Sequence, residues 1–268
     1  MDLELHGKSA LVTGSSSGIG AAIAHALAME GVSVVVHGRH ATRAESIAAA
    51  IRSDGGKAAV VLGDLATDAG AAGVATEAMA FGGIDILVNN AGGAIERADP
   101  SWFSTEPDDW IDTYQANVVA AVRLIRALVP PMRERGWGRV INIATGAAIT
   151  PTSAQPDYAG GKAAMLNLSL SLSKALSQSG VTSNAVSPGM IRTEGLRRFL
   201  TSFSAKRGWG DDLARAEAYV AKGSGQTVAR IGEVEDIAFA VAMIASPRSD
   251  FVNGTNIHVD GGITPSLG

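Results

Sequence analysis

The chain has 268 residues, enough for one large α/β domain or two small ones, and 46% hydrophobic content is ample for a core. A formal net charge of −4 and only 5% aromatic residues supply neither the basic field nor the stacking platforms of a nucleic-acid binder. With no cysteine there is no disulfide or thiolate metal site, and five scattered histidines without H-x-x-x-H spacing offer no zinc cluster.

The start, Met1-Asp2-Leu3-Glu4-Leu5-His6, lacks the basic and apolar regions of a leader, and no apolar run approaches the ~20 residues of a membrane span, so a cytoplasmic chain is expected. The first apolar run, Ser9-Ala10-Leu11-Val12, ends in Thr13-Gly14-Ser15-Ser16-Ser17-Gly18-Ile19-Gly20, and helix formers fill 21–29. That order is strand, glycine turn, helix. The alternation returns with apolar runs at 32–37, 58–62 and 84–88, separated by helical stretches at 43–52 and 68–81. Further runs lie at 140–143, 181–186 and 256–259. Short unbroken apolar runs suit strands buried on both faces, and their alternation with helices predicts a seven-stranded parallel sheet, doubly wound, with helices on both sides. No linker, charge run or repeat divides the chain, so 1–268 is expected to form a single domain. The segment 195–230 breaks the rhythm with Arg197, Arg198, Lys206, Arg207, Trp209 and Asp211-Asp212. A connection of that length carries function or helices of its own.

Three motifs carry chemistry. Gly14, Gly18 and Gly20 stand in a G-x-x-x-G-x-G spacing, where the general dinucleotide fingerprint is G-x-G-x-x-G. Gly14 permits a sharp turn, Gly18 lets backbone approach a pyrophosphate, and Gly20 lets the helix pack closely on the strand. The helix N-terminus then offers free N–H groups to the anion. At the end of the second strand, His37-Gly38-Arg39-His40 carries no carboxylate for ribose hydroxyls. Arg39, with Arg43 one turn on, suits a 2′-phosphate, which favours NADP(H) with NAD(H) as the alternative. Finally, Tyr158-Ala-Gly-Gly-Lys162 sets a phenol and an ammonium four residues apart on a helix expected over 155–178. Both side chains share a face, and the charge is expected to draw the phenol down towards working pH.

With these residues in place the chain resembles the short-chain dehydrogenase/reductase family, in its 3-oxoacyl-carrier-protein-reductase-like branch. The resemblance covers nearly the whole chain and implies a Rossmann-type domain. Thr13 to Gly20 fits the family's cofactor loop, Asp64-Leu65 its adenine-contacting acid, and Asn89-Asn90-Ala91-Gly92 its fourth-strand motif. Asn117 falls in the next long helix, where the family keeps its catalytic asparagine, and Tyr158 and Lys162 fit its Y-x-x-x-K signature. Pro188-Gly189-Met190-Ile191-Arg192-Thr193 fits the stretch beside the nicotinamide, and Asp260-Gly261-Gly262 completes the order. One position departs: thirteen residues before the tyrosine, where the family has serine, stands Thr145. Threonine keeps the hydroxyl and adds a methyl that restricts χ1. Thr150 and Ser153 are weaker stand-ins.

The resemblance implies hydride transfer between NADP(H) and a carbonyl or secondary alcohol. Tyr158 is then the acid or base, and Lys162 lowers its pKa and holds the nicotinamide ribose. Thr145 orients the carbonyl oxygen, and Asn117 holds a relay water. Each contact has a plainer reading: Asp64 and Thr193 as helix caps, Asn89 and Asn90 as turn residues, Asn117 as a satisfied buried amide. In such a family 195–230 closes over the substrate, with Phe199, Phe203, Trp209 and Tyr219 as apolar walls, and homotetramers form partly through the helices that hold Asn117 and Tyr158. Sugars, polyols, steroids and small ketones all remain open as substrates. The competing reading is a nucleotide-sensing protein of the same fold without turnover, which an ineffective Thr145 would favour.

Overall fold

The computed structural model describes residues 2–95, 97 and 101–265. Its seven strands are β1 (Ser9–Val12), β2 (Ser33–Gly38), β3 (Lys57–Leu62), β4 (Ile86–Asn89), β5 (Gly138–Ile143), β6 (Val181–Pro188) and β7 (Asn256–Val259). They form one sheet in the order β3-β2-β1-β4-β5-β6-β7, and every pairing is parallel. Successive strands step outward from β1 to one edge, and the order then reverses at β4. The crevice at the carboxyl ends of β1 and β4 is where such sheets bind ligands.

Helices α1 (Gly18–Met29), α2 (Ala41–Ser53) and α9 (Val234–Ala245) cover one face; α3 (Asp68–Ala80), α5 (Ala120–Glu134) and α6 (Pro156–Ala175) cover the other. The strands divide their side chains between the two cores. Ala10, Val12, Val34, Val36, Ile86 and Val88 pack under the first group of helices, while Leu11, Val35 and Leu87 pack under the second. Burial on both faces is why these strands read as unbroken apolar runs. No helix of the described residues is long and apolar enough to cross a membrane.

Several element boundaries shift by a few residues, two of them beside identifiable local features. β4 begins at Ile86; just before it, the Asp85 carboxylate accepts from the backbone N–H of Ser9 at 3.1 Å and from its hydroxyl at 3.2 Å. α6 stops at Ala175, and Gln178 lies beyond it in the left-handed region with φ 59°. The long element before β5 is interrupted: α4 (Pro107–Tyr114) passes into α5 through a π-helical turn, Gln115–Val119. The segment 195–230 holds two helices, α7 (Glu194–Lys206) and α8 (Leu213–Gly223).

Candidate active site

The glycine turn begins where β1 ends. Gly14 has φ +63°, and a Cβ there would stand 2.9 Å from Ala91 Cα, so the turn is tight because the loop after β4 presses on it. The same approach fixes Gly20, whose added Cβ would meet Asn90 Nδ2 at 2.5 Å and Gly14 O at 2.6 Å. Asn90 Nδ2 donates to Thr13 O at 2.8 Å, and Thr13 Oγ1 accepts from the backbone N–H of Asn90 and of Ala91, both at 2.9 Å. Asn90 is thus a tie between two loops rather than a simple turn residue. Ser17 is the N-cap of α1, but its side chain makes no capping bond, which leaves the first N–H groups of the helix free to meet an anion.

At the end of β2, Gly38 leaves room for Ser16, since a Cβ on it would lie 2.9 Å from the serine side chain. Arg39 is exposed and makes no ion pair among the described residues. Asp64 is exposed beside the buried Leu65, and its Oδ1 accepts from the backbone N–H of Ala66 at 3.0 Å. The cap of α3 is Thr67, not Asp64, whereas Thr193 does cap α7 by accepting from Leu196 N at 3.3 Å.

A cavity of about 220 Å³ opens at the carboxyl ends of β4, β5 and β6. Its wall joins Thr145, Tyr158 and Lys162 to Ile19 of the first helix, Asn90 and Gly92, and Pro188, Gly189, Ile191 and Thr193. Thr150 and Ser153 stay out of this wall. Lys162 is 3% exposed, and its ammonium donates to Ile143 O at 2.8 Å. Burial pushes its pKa down to about 8. Its Nζ lies 5.8 Å from the centroid of the Tyr158 ring. Burial drives the phenol the opposite way, above its ordinary value of 10, and a hydrogen bond with Thr145 draws it part of the way back. The expected lowering of Tyr158 by Lys162 is not the controlling effect here; desolvation is. The Thr145 hydroxyl thus reaches the Tyr158 phenol directly. Its Oγ1 also accepts from Ala147 N at 3.4 Å, capping the short 3₁₀ turn Gly146–Ala148.

Asn117 sits at the centre of the π-helical turn and is 1% exposed. Its Oδ1 accepts from Gly93 N at 3.0 Å, and its Nδ2 donates to Gly93 O at 3.0 Å and Thr113 O at 2.9 Å. Both amide protons are therefore engaged with backbone, and the side chain clamps the loop after β4 instead of entering the cavity. A π turn widens the helix and is common at functional positions.

Sequence reasoning misses two contributors. Asp157, next to the tyrosine and 2% exposed, accepts from Arg97 Nη2 at 2.9 Å and from Thr113 Oγ1 at 2.6 Å. Burial alone would raise that carboxyl, but the hydrogen bonds from Arg97 and Thr113 hold it below the usual range. A carboxylate beside the signature tyrosine is the only signal the sequence holds. His37, bonded between two loops, is the second. The four aromatics of 195–230 also differ from expectation: Phe203 packs against Phe199 and Tyr219 in tilted pairs and against Trp209 edge-on, at centroid distances of 5.9, 5.8 and 6.0 Å, and none of them lines the cavity around Tyr158.

The family model for short chain dehydrogenase matches residues 8–201. The chain belongs to the short-chain dehydrogenase family. Its class of chemistry is oxidoreduction. An uncharacterised oxidoreductase of Bacillus subtilis is 37% identical over 272 residues, with all of both chains covered. A 3-oxoacyl-[acyl-carrier-protein] reductase of Haemophilus influenzae is 36% identical, covering 97% of this chain and 99% of its own. Among solved structures, L-sorbose reductase of Gluconobacter frateurii, complexed with NADPH and L-sorbose, is 33% identical with a TM-score of 0.93 over the full length of both chains. Membership in the dehydrogenase family agrees with the parallel sheet, the glycine turn and the order of the motifs.

Proposed function

We propose that this dehydrogenase reduces a carbonyl group to a secondary alcohol, or oxidises the alcohol, with NADP(H) preferred over NAD(H). The observation that carries the reading is the convergence of Thr145, Tyr158 and Lys162 in one cavity whose far wall is the start of α1, Asn90 and the loop after β6. The residues fit a dinucleotide. The uncapped N-terminus of α1 suits the pyrophosphate, Asp64 and Leu65 the adenine, and the exposed Arg39 a 2′-phosphate. When bound, the nicotinamide supplies or accepts the hydride.

The chain's own groups handle the proton. Tyr158, held neutral by burial, donates to the carbonyl oxygen in reduction, and Thr145 donates a hydrogen bond to that oxygen and so orients it. Lys162 holds its charge below about pH 8, beside the site where the ribose would rest. Asn117 fixes Gly93 and with it the wall of the cavity. The segment 195–230 serves as a mobile cover within the single 1–268 domain, and the chain assembles as a homotetramer. Similarity to the sorbose reductase places ketoses and polyols first among substrates to try.

The test is a panel of ketoses, keto acids and acyl thioesters with NADPH, followed by loss of nicotinamide absorbance. Tyr158→Phe is expected to lower kcat/KM at least ~100-fold on any substrate turned over, the scale of one general acid. In the same assay Arg39→Ala is expected to weaken NADPH more than NADH. No turnover across the panel, or turnover indifferent to Tyr158→Phe, would sink the enzymatic reading.

A further inference from the structure

His37 ends β2, is 3% exposed, and takes no part in the proton transfer described above. Its ring is held from both sides. The backbone N–H of Gly14 donates to Nδ1 at 3.0 Å, and Nε2 lies 3.1 Å from the carbonyl oxygen of Gly63. The backbone of the same residue is tied as well: its N–H donates to Ser15 Oγ at 2.9 Å, and its carbonyl accepts from Ser15 N at 2.9 Å. A backbone amide can only donate, so Nδ1 is the acceptor and carries no proton. A carbonyl can only accept, so the proton is on Nε2. The two neighbours therefore select one tautomer of the neutral imidazole. An imidazolium would set an Nδ1–H against the Gly14 N–H, and both would be left without an acceptor in a buried site.

The two atoms that grip the ring belong to the two loops that bracket the nucleotide in the reading above. Gly14 opens the glycine turn, and Gly63 immediately precedes Asp64. Resting on that reading, we propose that His37 is a positioning residue of the nucleotide site, whose neutral ring pins the glycine turn to the end of β3 and whose protonation loosens nucleotide binding. The charged groups that face it are Arg39 on its own strand end and Asp64 at the end of β3; Gly14, Ser15 and Gly63 bring none. Burial lowers the imidazole below its ordinary 6.5, the bond to Gly63 opposes this, Arg39 adds to it and Asp64 acts against it. The transition therefore falls on the acid side of 6.5.

The experiment is an NADPH titration by fluorescence from pH 8 to pH 5 on the wild-type chain and on His37→Gln, joined to NMR of the wild-type imidazole resonances. The 2′-phosphate of the nucleotide itself titrates near pH 6, equally for both proteins, so the readout is the difference between them. An amide side chain can accept and donate but does not titrate. His37→Gln is expected to bind severalfold more weakly at pH 8, and wild-type affinity is expected to fall about tenfold further than that of the variant on reaching pH 5. The NMR spectrum is expected to show the Nε2–H tautomer titrating below 6.5. Parallel binding curves, or an imidazole that titrates at or above its ordinary value, would overturn the proposal alone. Failure of the wild-type chain to bind NADPH at pH 8 would overturn the nucleotide reading and this proposal with it. Should the variant not fold, the tautomer and titration of the wild-type ring still decide the matter.

Discussion

Tyr158 and Lys162 are ionisable groups that burial moves in opposite directions, each towards its neutral form. The consequence is an ordered pair of titrations. Lys162 loses its proton near pH 8, while Tyr158 keeps its own beyond 10, so the first alkaline loss of activity belongs to the lysine. We expect kcat/KM for NADPH to fall on the alkaline side with a midpoint near pH 8, and we expect the limb to flatten in the residual activity of Lys162→Arg. A limb only above pH 10 would assign it to the phenol instead. Stability runs the other way. The unfolded lysine holds its proton up to 10.5 and the folded one only to about 8, so between these values the unfolded state binds more protons and this group's contribution to stability rises with pH. Tyr158, Lys162 and the three glycines are legible in the sequence because their spacing reflects a fixed geometry. His37 is not legible, because a histidine at a strand end looks the same whether its ring faces water or two backbone loops.

Between elements, Asp157 joins three pieces of chain that have no neighbouring residues in sequence. It lies at the start of α6, Thr113 comes from α4, and Arg97 from the segment after β4; Arg97 also reaches Asp109 at 3.4 Å. Replacing Asp157 by alanine leaves the Arg97 charge and the Thr113 hydroxyl without their shared acceptor. The expected cost is about 3 kcal/mol, near the lower end for breaking a buried pair because the arginine retains a path to water. Chemical denaturation of Asp157→Ala checks it, and a loss under about 1 kcal/mol would show the network to be decorative. The carboxyl's lowered pKa gives the matching acid signature: its contribution is present above 3.8 and disappears as pH falls through the lower folded value. Most elements can be read from apolar runs and glycine turns. The π turn around Asn117 cannot, since a single widened turn leaves the apolar period of its helix almost unchanged. Nor can the early end of α6, which depends on a left-handed Gln178.

At the scale of the whole molecule, large apolar side chains remain exposed on opposite faces of the sheet. Ile111 and Leu170, 58% and 43% exposed, lie on α4 and α6; Phe239, 72% exposed, lies on α9. Exposed apolar side chains on two separate faces are consistent with the proposed tetramer, which would need two kinds of two-fold interface. Light scattering after size exclusion is expected to give four chain masses, falling to two in Phe239→Asp. A monomeric wild-type chain would refute the assembly. The paired helices α7 and α8 raise a different matter. Their rings pack on one another, Arg207 lies over three of them at 5.2, 5.9 and 4.8 Å, and Arg192 binds Glu217 at 2.6 and 2.8 Å and Glu233 at 2.9 Å. A helix pair whose rings pack on one another, tied to the rest of the fold by Arg192 beside it and, in the chain that follows, by Arg230 on Asp236 and Thr227 on Gly261 O, is expected to behave as an exchangeable cassette. Changes to its rings and its length are expected to be absorbed within the pair, while the sheet and the glycine turn keep their places.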